Sequence, residues 1–292
     1  MDRKAIARQT LDIMEKGWYE TEGTVVEIRA RQQESVKKSV LFTPEQGERL
    51  LEQYETVTKK TAKYKCCTWN CSTVDAILKL AGENQCRCAV LNFASAKNPG
   101  GGFINGAMAQ EESLAASSCL YKTLTAHETY YRMNRACSTM IYTDHAIFSP
   151  DVVFFRDGRF GLLKEPVEAS VLTLPAVNMG QVILKGEDRA LAEQSMKRRM
   201  KLALAIFASR GCRNLILGAY GCGVFRNDPV KVAGWWKELL EQYFPGDFDT
   251  IVYAVLDRSA TQACLKLTLD NDTFENTGKS RFFERRTSRV LY

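Results

Sequence analysis

Histidine is scarce in this chain, with two residues in 292, His127 and His145. They are not placed to complete a zinc site, and no cluster of aspartate and histidine suited to a metal is visible, which counts against a metal-dependent phosphatase or nuclease. Long apolar runs are missing too. No stretch approaches the roughly 18 to 20 uncharged apolar residues that cross a bilayer, and the opening MDRKAIARQTLDIMEKGWYE lacks a secretory apolar core, so no membrane partner and a cytoplasmic protein are expected. No repeat of about 20 to 50 residues and no Pro- or Ser-rich linker divides the sequence. The paired C-x2-C knuckles of zinc sites are also absent from Cys66-Cys67 with Cys71 and from Cys86 with Cys88. The ten cysteines fall largely in apolar segments, as at Cys119, Cys212 and Cys264, so reduced thiols are expected and no metal or other cofactor is called for.

What is present fits one globular domain. The apolar share of 45% and the charged share of 25% leave enough core for a packed fold and show no disordered bulk. Four of the six net positive charges belong to residues 276–292, whose KSRFFERRTSR reads as a basic tail. Terminal charge runs are usually solvated, but direct contact with nucleic acid or another phosphate polymer is not excluded by such a tail. The organisation expected is an N-terminal helical extension over 1–60, packed on a catalytic domain over 61–275, followed by the tail.

Beyond residue 80, short β-rich runs alternate with helical ones. The runs are Cys88–Phe93, Val152–Phe155, Val171–Leu174, Leu215–Leu217 and Ile251–Leu256, an alternation that predicts an α/β fold around a largely buried sheet. Ala192, Met196, Met200, Ala203 and Phe207 recur at helical spacing, with Gly211 as the expected cap and Lys197, Arg198 and Arg199 on the wet side. Thr43-Pro44-Glu45 and Asp228-Pro229 read as helix starts.

The chemistry concentrates in VLNFASAKNPGGGFINGAMAQEESLAASSCLY, Val90 to Tyr121. An apolar strand runs into a glycine-dense loop that opens a helix. Gly100, Gly101 and Gly102 remove every Cβ from that loop and permit positive φ, so the backbone can approach a ligand and aim N–H groups at anionic oxygens. Gln110, Glu111 and Glu112 then start a helix continued by Ala116, Leu120 and Leu124. Neighbouring helical residues point about 100° apart, so one carboxylate can hold a sugar hydroxyl while the other meets a scissile bond. A second loop follows the strand Leu215–Leu217 and carries Gly221, Cys222, Gly223, Val224, Phe225, Arg226 and Asn227 into the helix start at Asp228. A glycine loop at a helix N-terminus is a phosphate-binding geometry, and two such loops at the carboxyl ends of one sheet suit a diphosphate.

These residues together resemble the microbial-type poly(ADP-ribose) glycohydrolases. The resemblance rests on Gly100-Gly101-Gly102, a spacer of seven residues, and Gln110-Glu111-Glu112. It extends to NFASAKNPGGG, Ser-Pro-Asp-Val at 149–152, Leu-Pro-Ala at 174–176 and GCGVFRNDP at 221–229, covering about residues 65 to 260. It implies a macrodomain-like three-layer α/β/α fold with a mixed central sheet, and metal-independent hydrolysis of ribose–ribose O-glycosidic bonds in poly(ADP-ribose) to release ADP-ribose. Glu112 is then the general acid, Glu111 orients the adjacent ribose and Gln110 supports both. Gly100 to Gly102 lie against ribose and phosphate, while Gly221, Cys222, Gly223, Val224 and Phe225 wrap the diphosphate. Asn98 and Asn227 are further polar contacts. The acid role asks for a raised pKa at Glu112, which burial and a neighbouring Glu111 anion would supply. A non-catalytic ADP-ribose reader, or a hydrolase removing single ADP-ribose units from protein or nucleic acid, would carry similar loops, though a reader does not need the Glu111-Glu112 pair. Asp75 is a candidate for adenine, set against an ordinary helix-start aspartate.

Overall fold

The computed structural model describes residues 2–56, 64–84 and 87–257, with the side chains of 83 and 84 left aside. The basic tail, Cys86 and Cys264 lie outside the described residues. The chain opens with α1 (Arg3–Lys16), a hairpin of β1 (Trp18–Thr21) and β2 (Thr24–Glu27), α2 (Arg29–Lys38), β3 (Val40–Phe42) and α3 (Pro44–Glu52). The first 60 residues are therefore not helical throughout. They also hold a hairpin and a strand that pairs antiparallel with the central sheet, pairings between segments that helical periodicity does not register. Thr43 caps α3 as its sequence predicts, with Pro44 at the first helical position.

The sheet-forming part follows: β4 (Lys65–Trp69), α4 (Thr73–Asn84), β5 (Cys88–Ala94), α5 (Gln110–Ser117), α6 (Leu120–Thr125), α7 (Glu128–Ala136), β6 (Ala146–Arg156), β7 (Leu162–Pro175), α8 (Met179–Leu184), α9 (Arg189–Ser209), β8 (Asn214–Leu217), α10 (Pro229–Tyr243) and β9 (Thr250–Ala254). Seven strands form one mixed sheet in the order β3-β6-β7-β5-β8-β9-β4. Strands β7, β5, β8, β9 and β4 run parallel, so their carboxyl ends share one edge.

Alternation along the strands divides the interior into two layers. Ala89, Leu91, Leu215, Leu217, Ile251 and Tyr253 face a core built with α3, α8, α9 and α10. Cys88, Val90, Ile216, Val252 and Ala254 face the opposite core with α1, α4, α5, α6 and α7. Helices cover both faces, which gives the three-layer architecture expected. The same alternation sends Cys66 to one core and Cys67 to the other, so the two thiols cannot converge on one ion. No disulfide joins two cysteines among the described residues.

Two local expectations are corrected. Arg199 is not on the wet side of α9 but only 1% exposed. Its position is three after Met196 and four before Ala203, inside the buried stripe. There its guanidinium pairs with Asp144 and donates to the carbonyls of Ile141 and Pro175. The helix expected to run unbroken from Gln110 through Leu124 is interrupted at Ser118. That residue bridges Phe154 of β6, and the Cys119 N–H donates to the Val153 carbonyl at 2.9 Å, so sheet pairing takes backbone groups a continuous helix would have used. Gly211, with φ of +67°, stands at the end of α9 as predicted.

Candidate functional site

Strand β5 delivers the chain to the parallel edge of the sheet, and the residues after it build the first half of the site. Gly100 and Gly101 adopt φ of +65° and +60°, which turns the loop back towards α5. A Cβ on Gly101 would lie 2.3 Å from Glu112 Oε1 and 3.1 Å from Glu111 Oε2. One missing side chain thus brings the backbone against both carboxylates. Glu112 Oε1 accepts from the Gly102 N–H at 2.9 Å, and its Oε2 accepts from the Ala109 N–H at 3.0 Å. The carboxylate that stays partly open to solvent is thereby held by the loop it faces.

Glu111 points the other way, into the protein, and is 3% exposed. Its Oε2 accepts from the Ser95 N–H at 2.7 Å and its Oε1 from Asn92 Nδ2 at 3.3 Å. Burial pushes its pKa up to about 8 against the opposing pull of the Ser95 and Asn92 hydrogen bonds, with Glu112 adding to the rise. Gln110 spends its amide on strand β5, accepting from the Phe93 N–H at 2.8 Å and donating to the Leu91 carbonyl at 2.9 Å. Pairing of β5 with β8 ends at Val90, so Gln110 occupies backbone groups beyond that pairing and fixes the start of α5 on the sheet.

The second half of the site follows β8. Gly221, at φ +72°, has no room for a Cβ, which would lie 2.6 Å from Asn227 Nδ2 and 2.7 Å from the Ala176 methyl. Asn227 is buried, and its amide donates to the Val177 carbonyl at 2.8 Å and to the Gly221 carbonyl at 3.0 Å, closing the loop. Trp236 of α10 donates to the Gly218 carbonyl at 3.2 Å from beneath. Within this frame the backbone N–H groups of Gly223, Val224 and Phe225 donate to no acceptor among the described residues. Val224 is 84% exposed, and a Cβ on Gly223 would meet open space. Successive free N–H groups ahead of the α10 N-terminus make a concavity suited to anionic oxygens. Phe225 packs on the core beside Tyr142, with ring centroids 6.3 Å apart.

The two halves meet through Phe93 and Tyr220, whose rings lie 5.6 Å apart, and through Gly218, where a Cβ would sit 3.1 Å from Phe93 Cζ. The structure therefore brings Gly100 to Gly102, Gln110 to Glu112 and Gly221 to Asn227 to one edge of the sheet. Asn98 is exposed in the first loop, where its carbonyl accepts from the Gly101 N–H at 3.0 Å. Asp75 lies in the first turn of α4 and accepts from the Ser72 hydroxyl and from the Gly158 N–H. Sequence reasoning passed over Asn92 and Ser95. Asn92 had a visible signal, a lone amide in the apolar run Cys88–Phe93.

Known proteins share this fold. The sequence model of the microbial-type PARG catalytic domain matches residues 7–157. The crystal structure of poly(ADP-ribose) glycohydrolase from Thermomonospora curvata is 36% identical, covering 92% of this chain and 98% of that one, with a TM-score of 0.87. The same enzyme bound to the inhibitor ADP-HPD matches at 36% identity over the same shares with a TM-score of 0.84. The poly(ADP-ribose) glycohydrolase from Deinococcus radiodurans in complex with ADP-ribose is 39% identical over 84% of this chain and 98% of that one, with a TM-score of 0.76. A search of curated proteins found no match. With half the chain inside the family model and whole relatives superposing on it, the chain belongs to the microbial-type poly(ADP-ribose) glycohydrolase (PARG) family.

Proposed function

We propose that this chain hydrolyses the ribose–ribose O-glycosidic bonds of poly(ADP-ribose) and releases ADP-ribose, with Glu112 as general acid. The observation that carries this reading is the convergence of two carboxylates on Gly101, beside a loop with free N–H groups for a diphosphate. The family and the relatives solved with ADP-ribose and with ADP-HPD support it.

In this reading the terminal ADP-ribose lays its diphosphate on the N–H groups of Gly223, Val224 and Phe225. Phe225 covers the distal ribose, and the glycine loop from Gly100 lets that ribose reach the carboxylates. Glu111 holds a ribose hydroxyl. Glu112 delivers a proton to the departing ribose oxygen as the C–O bond lengthens toward an oxocarbenium ion. Water then adds to the anomeric carbon and returns its proton to Glu112, so the acid is restored at the end of each turnover. Cys222 and Asn227 act through the shape of the loop, and Asn98 through the turn that carries Gly101. We further place the protein in the cytoplasm and assign it polymer attached to macromolecules as substrate.

The test is Glu112→Gln, which keeps size and removes the donor. Release of ADP-ribose from poly(ADP-ribose) should fall by about a hundredfold or more, while ADP-ribose binding persists. Tight binding with no release from polymer by the unaltered protein would instead identify a reader. Release only from mono-ADP-ribosylated protein would identify a hydrolase of single units.

A further inference from the structure

The polar groups behind the carboxylate pair do not close their hydrogen bonds. Asn92 is fully buried on β5, where its Nδ2 donates both to Glu111 Oε1 at 3.3 Å and to Thr173 Oγ1 at 3.1 Å. Thr173 is its cross-strand partner in the parallel β5–β7 register, so the two side chains share a face. Asn92 Oδ1 is buried without a hydrogen-bond partner among the described residues. A buried carbonyl oxygen without a donor is costly, and native interiors keep few of them.

A protonated Glu111 would supply the donor. Its Oε2 already takes the Ser95 N–H, so a proton on Oε1 points toward Asn92. A half-turn of the amide exchanges Oδ1 for Nδ2 at nearly constant shape and the Thr173 hydroxyl can reverse from acceptor to donor, so that one side of the amide is unpartnered in either state and neither orientation is favoured on that account. We propose that Asn92 is a positioning residue that serves Glu111 in both protonation states, donating to the carboxylate and, after a half-turn of its amide, accepting from the carboxylic acid. This rests on the reading of Glu111 as the residue that holds a ribose hydroxyl.

The consequence is a proton coupled to binding. In the free site, burial with a pKa of about 8 keeps the proton on Glu111 at neutral pH. An arriving ribose hydroxyl donates to Glu111, the carboxylate becomes the better acceptor, and the proton leaves to water while Asn92 turns its Nδ2 inward. The other titratable groups facing Glu111 are Glu112 on the same helix and Tyr130 and Tyr131 on α7. The strands present the neutral Asn92 and Thr173.

Calorimetry of ADP-ribose binding at pH 7 in buffers of different ionisation enthalpy counts the protons released. Close to one proton per ADP-ribose is expected for the unaltered protein, and none for Glu111→Gln. Asn92→Leu removes the donor that stabilises the carboxylate, so release should largely disappear. The limb of the polymer-cleavage pH profile set by Glu111 should also move up by about one unit, the size of one hydrogen bond to a charged group. If Asn92→Leu does not fold, Asn92→Asp keeps the shape without the donor, and two adjacent carboxyls hold one proton between them, so release is again lost. Unchanged proton release in whichever variant folds, or activity lowered uniformly across pH, would overturn the proposal. Proton release without polymer cleavage by the unaltered protein would leave the inference standing and remove the glycohydrolase reading instead.

Discussion

Replacing Gly101 by alanine tests how closely the catalytic geometry depends on one absent side chain. A Cβ there would lie 2.3 Å from Glu112 Oε1 and 3.0 Å from its Cδ. A tolerable contact needs about 3 Å or more, so the Glu112 carboxylate has to retreat by roughly 0.7 Å and give up its bond to the Gly102 N–H. A displacement near 1 Å at a reacting group costs up to about a hundredfold in rate. We expect kcat for polymer cleavage to fall between about tenfold and a hundredfold. Alanine at φ +60° also adds about 1 kcal/mol of backbone strain. Gly23 separates the two effects, because it has φ +74° in the β1–β2 turn and nothing within 4 Å of a Cβ. Gly23→Ala should therefore show a similar loss of stability with unchanged kcat. The assay is ADP-ribose release under saturating polymer, alongside thermal unfolding of each variant. A Gly101→Ala protein that folds and turns over within about threefold of the parent would refute the claim that this contact sets the position of Glu112.

Asn227→Ala removes both hydrogen bonds of the amide, at about 0.5–1.5 kcal/mol each, while the Val177 carbonyl keeps the Met179 N–H and the Gly221 carbonyl keeps the backbone N–H of residue 227. The loss should appear as at least a tenfold weaker Kd for ADP-ribose in titration calorimetry, with kcat changed less, and an unaltered Kd would mean that the loop holds its shape without this amide. Arg199→Met removes one of the two arginine partners of Asp144 and the side-chain donor to the Ile141 and Pro175 carbonyls. Asp144 keeps Arg198, so urea unfolding should show a loss near 3 kcal/mol, and a loss under about 1 kcal/mol would show the network to be dispensable. Glu111 has a folded pKa of about 8, above its ordinary value of 4.5. The folded protein therefore binds more protons than the unfolded chain between those values, and this contribution to stability is complete at low pH and lost as pH rises through about 8. Glu111→Gln should remove that slope, so its Tm should gain on the parent as pH rises from about 5 to 9. Parallel Tm curves for the two proteins would contradict the raised pKa.

The sequence disclosed the site better than it disclosed the scaffold. Local signals survive folding: Gly101 permits the positive φ that its turn uses, Asp228-Pro229 starts a helix, and Glu111 and Glu112 fall in the first turn of α5 after a glycine-rich loop. What escaped depends on distant partners. The break at Ser118 follows from pairing with Phe154, 36 positions along the chain, and no window around Ser118 contains that information. Strand β3 exists because β6 offers it an edge, and β4 because β9 does. Arg199 was legible in principle, since it stands at stripe spacing, but an arginine in a basic triplet reads as solvated until Asp144 is seen beside it. The burial of Glu111 was hidden for a related reason. Spacing places two adjacent glutamates on a helix without saying which of them turns toward the sheet.

That difference between the two glutamates also bears on the role of α1. The short helix Phe103–Asn105 and α5 share a small core in which Ala7 of α1 packs with Phe103, Ala115 and Ala116. The Thr10 hydroxyl donates to the Ala116 carbonyl at 2.7 Å, and Arg156 reaches both Thr10 and Gln9 from β6. On the loop itself, a Cβ at Gly106 would sit 3.2 Å from the Lys4 side chain. The glycine loop is therefore held between α5 on one side and α1 on the other. Rigid support on both sides is what a hydrogen bond such as Gly102 N–H to Glu112 requires if it is to fix a carboxylate rather than follow a mobile loop. Under the proposed role of Glu112, the N-terminal helix would contribute to catalysis through the loop it braces.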